Sequence, residues 1–542
     1  MRRSKIGHNP FFTALRKALR LAAHSHQKGA PPADEIAEWA RDAQQKAYSR
    51  REFLSLTAGA TAMAGLAACN RPDPKPQPTF GPKTSEVAKI AIVGGGIAGL
   101  HAAYVLQKAG VASTIYEGSG RAGGRIYTGS DVVAPNTYTE LGGEFIDTNH
   151  EDMIQLCKEF GLKLNDRLDP KGEGKLNEAY FFEGKLYTET QLITAFKPVA
   201  KRMLVDIDKI SDTLAYNTMT DDDKHFDQMS IAQYLDSIGC SGWIRKLLDV
   251  AWVTEFGLET DQQTALNLLW MIGADLSEGF SMFGESDEKY EIDGGNEQVV
   301  KELHKRLGAQ VKLEHKLMAI QDHSGGGYTL VFSHGNGTKE VKAEMAIIAI
   351  PFTLLREVDI QASLPPLKKK AIAELGYGTN AKLFVGFNNR VWRQKGYSGE
   401  SFSDVGYQLM WDHTAFQPMP AGGLTLFSGG KDGVATGTGS AQEHVARLMQ
   451  GVDQVFPGSK AAQNGQVAQF HWPTYAWAKA SYACYKPGQY TAFSGMEFEP
   501  VGNMHFAGEH CSADYQGYMN GGAETGRRAA EAILGKLGKP IS

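Results

Sequence analysis

The stretch from Lys89 to Glu117 constrains this chain more than any other. Lys89–Val93 has the composition of a buried strand and runs without a break into Gly94-Gly95-Gly96-Ile97-Ala98-Gly99. An apolar helical stretch, Leu100–Ala109, follows. After Gly110 a second strand, Ala112–Tyr116, ends in Glu117. Gly94 permits a tight turn, Gly96 lets a ligand approach the backbone, and Gly99 lets the helix pack on the strand. The helix start, with Ile97 and Ala98, offers unpaired N–H groups and the positive end of a dipole, which suits a pyrophosphate. Glu117 stands where a carboxylate accepts hydrogen bonds from ribose hydroxyls. A glycine-rich turn alone is common. Strand, spaced glycines, helix, strand and acid in register predict a dinucleotide-binding βαβ unit.

The residues after the acid point to a flavin dinucleotide. Gly118-Ser119-Gly120-Arg121-Ala122-Gly123-Gly124-Arg125-Ile126 resembles the second flavin motif of amine oxidase-like and glutathione reductase-like flavoproteins. There, Arg and Gly backbone groups complete the pyrophosphate site, which implies that role for Gly118, Arg121, Gly124 and Arg125. Leu141-Gly142-Gly143-Glu144 adds a second close-approach turn, expected beside the flavin ring.

At 542 residues the chain is too long for one core, so more than one domain is expected. A net charge of −5 supplies no basic excess to neutralise phosphates, so nucleic acid is not an expected partner. Cys69, Cys157, Cys240, Cys484 and Cys511 form no CxxC pair and no metal-ligand spacing. Residues 1–80 read as a leader. Ser49-Arg50-Arg51-Glu52-Phe53-Leu54 resembles a twin-arginine export signal, and an uncharged small-residue run follows from Leu54 to Ala68. Leu66-Ala67-Ala68-Cys69 resembles a lipobox, and Asn70–Pro78 is a Pro-rich tether. The expectation is export by the twin-arginine route to the periplasm, with Cys69 as a lipidated membrane tether. The 48 residues before Ser49 make an unusually long lead-in.

Far downstream, Asn503-Met504-His505-Phe506-Ala507-Gly508-Glu509-His510 reads as a strand entering a Gly-Glu turn. Tyr515-Gln516-Gly517-Tyr518-Met519-Asn520-Gly521-Gly522 then opens a helix. With the N-terminal motifs, these segments resemble the flavin-containing amine oxidase superfamily, which includes monoamine oxidases and L-amino acid oxidases. The likeness spans roughly residues 86–537. It implies non-covalent FAD contacted by Gly508, Glu509, Gly517, Tyr518 and Met519, and a middle segment at Ile292–Glu297 and Val311–Leu313, with Val311 on the cofactor. It also implies that Lys382, on the strand-like Asn380–Phe384, holds a water against flavin N5 in an apolar surround. Tyr482 and Tyr518 would be the two walls of an aromatic cage for the substrate nitrogen, and Trp477 would pack beside the flavin.

Two positions depart from the family pattern. Where some members tether the flavin to Cys, this chain has Ser481. Where many L-amino acid oxidases carry a carboxylate-binding Arg, it has Phe145 beside Glu144.

The expected fold class is α/β: a discontinuous Rossmann-like FAD domain (84–150, 284–350 and 470–537) with an interleaved α+β substrate domain of sheet and helices (151–283 and 351–469). Met153, Ile154, Leu156, Cys157 and Phe160 make one apolar helix face, and Trp252, Trp270, Met271, Phe280 and Phe283 are expected in the core. The implied activity is oxidative deamination of a primary amine or L-amino acid. Hydride passes to flavin N5, O2 becomes H2O2 and ammonia is released. A monooxygenase or desaturase of the same fold, and a lipid-anchored flavoprotein without turnover, are the alternatives. A homodimer is compatible with any of these.

Overall fold

The computed structural model describes residues 90–167, 176–211, 213–274, 281–284, 286–324 and 326–540. The leader features, Ser49–Leu54, Cys69 and the Pro-rich tether, lie outside the described residues, as does Phe280.

A five-stranded parallel sheet carries the glycine turn. Its strands, in spatial order, are Met504–Phe506, Met345–Ile348, Ile90–Val93, Ser113–Tyr116 and Val311–Lys312. They come from three distant parts of the chain. Both faces are covered, which explains why Ile90–Val93 and Met345–Ile348 are uninterrupted apolar runs. Ile90, Ile92, Ile115 and Ile347 pack against the helices Ile97–Lys108, Glu297–Leu307 and Met519–Lys536. Ala91, Val93, Ala346 and Ile348 face the opposite way and join Leu330 and Phe332 of the antiparallel meander Lys316–Asp322, Tyr328–His334 and Gly337–Ala343. The first helix begins at Ile97, three residues before the expected start, so Gly99 sits inside its first turn.

A seven-stranded mixed sheet lies in the order Gln463–His471, Ala381–Phe387, Gly422–Ser428, Leu409–Asp412, Tyr397–Ser403, Asn177–Phe182 and Lys185–Tyr187. Helix Ala441–Val455 packs on one face through Val445, Leu448, Met449 and Val452. A helical layer accompanies this sheet, including Glu189–Ile207 and Gly242–Phe256. Trp252 and Met271 are core side chains there, while Phe283 opens onto a cavity. The described residues thus form an α/β architecture with a discontinuous dinucleotide fold and a second sheet-plus-helices region. Among them no helix is long and apolar enough to cross a membrane.

Candidate functional site

Two adjoining cavities lie where the glycine turn, the Leu-Gly turn and the C-terminal helix converge. The larger is lined by Gly94, Gly96, Ile97, Ala98, Glu117, Gly118, Gly124, Arg125, Gly508 and Glu509, among others. Gly94 has φ +106, and a Cβ there would lie 2.5 Å from the carbonyl oxygen of Ala349. A Cβ on Gly96 would meet only the Cα of Gly124, at 3.9 Å, so this backbone opens directly onto the cavity. Helices Ile97–Lys108 and Met519–Lys536 both begin on the cavity wall, and neither has a side chain capping its N-terminus. Uncapped first-turn N–H groups await an anion. The Glu117 carboxylate accepts from the N–H groups of Gly95 (2.7 Å) and Ser119 (2.8 Å), which fixes it at the strand end. Arg125 donates to Glu509 (2.8 Å) and to the Ser481 carbonyl (2.7 Å), and Glu509 also accepts from the Gly517 N–H (2.8 Å). Glycine cradle, two open helix ends, a strand-end acid and an arginine together fit a dinucleotide with a pyrophosphate.

The second cavity shares Gly142, Gly143, Lys382, Tyr482, Gly517, Tyr518 and Met519 with the first. Gly142 is required here, since its Cβ would lie 1.9 Å from the carbonyl oxygen of Arg125. The Tyr482 hydroxyl donates to the Thr254 carbonyl (3.1 Å), and that of Tyr518 donates to Glu255 (3.0 Å). Both rings are therefore tied by their hydroxyl ends to consecutive residues of one helix. Burial, reinforced by Glu255, holds both phenols well above the ordinary tyrosine range, so they stay neutral.

Several expected positions are corrected. Val311 is not on the cavity: it pairs with Ile115 and packs in the core, and the neighbouring segment contributes His315 and Leu317 instead. Arg121 does not line the cavity either. Its guanidinium donates to the carbonyls of Ala122, Gly124 and Ile126 and stacks over Tyr127 at 3.9 Å, bracing the loop from behind. Gly99 lies behind the wall, where its missing Cβ would meet the Gly94 carbonyl oxygen at 2.0 Å. Trp477 lies on Gly118, at the Glu117 end. The tryptophan beside Gly142 and the Lys382 end is Trp472, whose Nε1 donates to the Leu141 carbonyl (2.9 Å). Glu144 lines only the second cavity. The surround of Lys382 is polar: Nζ donates to Glu144 (2.7 Å) and to the carbonyls of Gly142 (2.9 Å) and Glu140 (3.0 Å).

Sequence reasoning missed Arg167. Its guanidinium lies 3.6 Å over the Phe145 ring, so an arginine reaches the second cavity at the position that looked empty. It donates to the Glu288 carbonyl (2.8 Å) and approaches the carboxylates of Glu288 and Glu400. No local pattern marks residue 167. Ser481 lines the larger cavity, whereas Cys484 is buried outside it with its sulfur near Asn267.

The fold and this pair of cavities define a flavin-dependent oxidoreductase. The family model for flavin containing amine oxidoreductases matches residues 97–534, and the chain belongs to that family. It is an enzyme whose cofactor is FAD. A zebrafish (Danio rerio) flavin-containing amine oxidase is 25% identical over 482 residues, covering 84% of this chain and 87% of the relative. An L-amino acid dehydrogenase of Synechocystis sp. is 24% identical over 468 residues, covering 82% and 94%. Cyclohexylamine oxidase from Brevibacterium oxydans has the same fold, with a TM-score of 0.72 at 23% identity, covering 84% of this chain and 100% of that one.

Proposed function

We propose that the protein oxidises the carbon–nitrogen bond of a primary amine, the α-amine of an L-amino acid included, and passes the electrons to O2 to give H2O2. The observation that carries this reading is the meeting of Lys382, Tyr482 and Tyr518 where the two cavities join. FAD, when bound, supplies the two-electron acceptor. The residues that would hold it are Gly94–Ala98, Glu117, Gly118, Gly124, Arg125, Gly508 and Glu509, with the helix starting at Met519. Because Ser481 and not a cysteine stands at the tethering position, the association is non-covalent.

The chain's own part is orientation. The neutral rings of Tyr482 and Tyr518 bound the space for the substrate nitrogen, and their π faces favour its partly positive end. The Lys382 ammonium stands at the junction with its three N–H groups on Glu144 and the Gly142 and Glu140 carbonyls. Glu144, Glu255 and Glu400 on the second cavity, against Arg167 and Lys382, favour entry of a cationic amine, while Glu288 is held neutral. Burial pushes the Glu288 carboxyl well above its usual range, and Glu400 and Glu255 add to this. The imine product hydrolyses to a carbonyl compound and ammonia.

Arg167 supports a second reading, an L-amino acid substrate whose carboxylate this guanidinium receives. A zebrafish relative named amine oxidase and a cyanobacterial relative named L-amino acid dehydrogenase span the same two choices. The leader adds a further proposal: twin-arginine export to the periplasm, with lipidation at Cys69.

The test is purified yellow holoenzyme against monoamines, diamines, polyamines and L- and D-amino acids, with peroxide release and anaerobic bleaching of the flavin as paired readouts. Bleaching with a primary amine or an L-amino acid is expected, with peroxide on admitting air. Bleaching by none of them would overturn the reading, and bleaching without peroxide would overturn its O2 half.

A further inference from the structure

Glu144 lines the second cavity and not the larger one, and its carboxylate is held from two sides. It reaches Lys382 Nζ at 2.7 Å through Oε2, and Trp411 Nε1 donates to its Oε1 at 2.8 Å. The Lys382 and Glu144 side chains are 6% and 4% exposed. The three residues come from separate elements: Lys382 from strand Ala381–Phe387, Glu144 from the turn after Tyr138–Glu140, and Trp411 from strand Leu409–Asp412. Trp411 also places its ring 5.3 Å from Lys382 Nζ and meets Phe145 and Phe427 edge-on, each at 5.4 Å. A lysine has four rotatable bonds and no preferred direction of its own. Here a carboxylate and two carbonyls fix where its nitrogen stands.

We propose that Glu144, held in turn by Trp411, is the positioning residue for Lys382: it keeps Nζ fixed at the junction of the two cavities. This rests on the assignment of Lys382 made above. Removing the carboxylate leaves a buried ammonium without its counter-charge, and such a group gives up its proton or moves away.

The test uses holoenzyme with FAD content checked by its visible absorbance, comparing Glu144→Gln, Lys382→Met, the double variant and Trp411→Phe. Two quantities are read: the midpoint potential of the bound flavin from pH 6 to 10, and the rate at which dithionite-reduced enzyme is reoxidised by O2. Glu140 and Glu291, carboxyls that burial holds up to about 8, put breaks into the line of potential against pH in every variant; Glu144→Gln is expected to add a further break that needs the lysine. It is expected to slow reoxidation at least tenfold at high pH. Trp411→Phe shifts both in the same direction by less, and serves in place of Glu144→Gln if that variant loses FAD. The double variant should lack that further break and show no loss beyond that of Lys382→Met, because Glu144 acts through the lysine. A Glu144→Gln line with no break beyond those of the double variant overturns the proposal. Wild-type behaviour of Lys382→Met itself overturns the assignment of the lysine instead.

Discussion

Gly96 and Gly99 lie three residues apart in the same turn, and the structure assigns them opposite vulnerabilities. An alanine Cβ at Gly99 would lie 2.0 Å from the carbonyl oxygen of Gly94 and 3.2 Å from Ile92 Cγ2. Overpacking of this kind costs about 1–3 kcal/mol. The obstacle here is backbone, which cannot rotate away, so the upper end applies. Alanine's helix propensity returns about 1 kcal/mol, leaving Gly99→Ala less stable by about 2 kcal/mol. At Gly96 the backbone has φ −74 and ψ 180, open to any residue, and the added Cβ touches nothing closer than 3.9 Å. Gly96→Ala should therefore unfold within about 0.5 kcal/mol of the parent. Its methyl group, however, enters the space where the pyrophosphate meets the helix end. Losing one charge-assisted hydrogen bond there costs about 1.5–3 kcal/mol, a roughly ten- to hundredfold rise in the Kd for FAD. Urea unfolding of the two apoproteins and FAD titration by fluorescence quenching separate the effects. Parental FAD affinity in Gly96→Ala, or parental stability in Gly99→Ala, would refute this account of the turn.

Glu291 is buried, and burial, with the charge of Glu144 next, raises its carboxyl from an ordinary 4.5 to about 8. The native state thus keeps a proton that the unfolded chain releases, so stability is full below pH 4.5 and is lost as pH rises towards 8. Glu291→Gln, neutral throughout, should flatten the fall in the urea midpoint between pH 5 and 8 and gain up to a few kcal/mol at the alkaline end; an unchanged slope would remove Glu291 as its source. Arg167→Met should raise KM for an L-amino acid at least tenfold while leaving an unsubstituted monoamine within about twofold, if the guanidinium receives the carboxylate; equal effects on both substrates would count against that role. Replacing Arg50 and Arg51 together by Lys should keep the protein out of the periplasmic fraction, and unaltered fractionation would end the twin-arginine proposal.

What could be read from the sequence is what local backbone rules dictate. The succession from Ile90 to Glu117 specifies a βαβ unit because strand, turn and helix each leave a residue-level mark, and the family likeness carried the α/β class and its discontinuous sheet. Boundaries slipped where a rule was softer: Gly99 reads as the end of a turn but lies within the helix. Contacts made at a distance were not legible. Whether Val311 or Leu317 reaches the cavity depends on how the chain bends between two sheets. The polar surround of Lys382 is assembled from Glu140, Gly142 and Glu144, more than two hundred residues away, and its own neighbours Leu383 and Phe384 do not decide it. Arg167 lies 22 residues beyond Phe145 and reaches it only through the fold.

The five-stranded sheet has a consequence for the order of events in the cell. Its outer strand, Met504–Phe506, and the helix start at Met519 are synthesised some four hundred residues after the glycine turn that they complete. No nascent fragment has both halves of the cofactor cavity. Until Met504–Phe506 is made, the strand Met345–Ile348 lacks its neighbour on that side, the kind of edge that invites mispairing. The full set of FAD-cavity residues therefore exists only once the segment from Met504 to Gly522 has been made, and FAD binding favours the form in which that segment is docked.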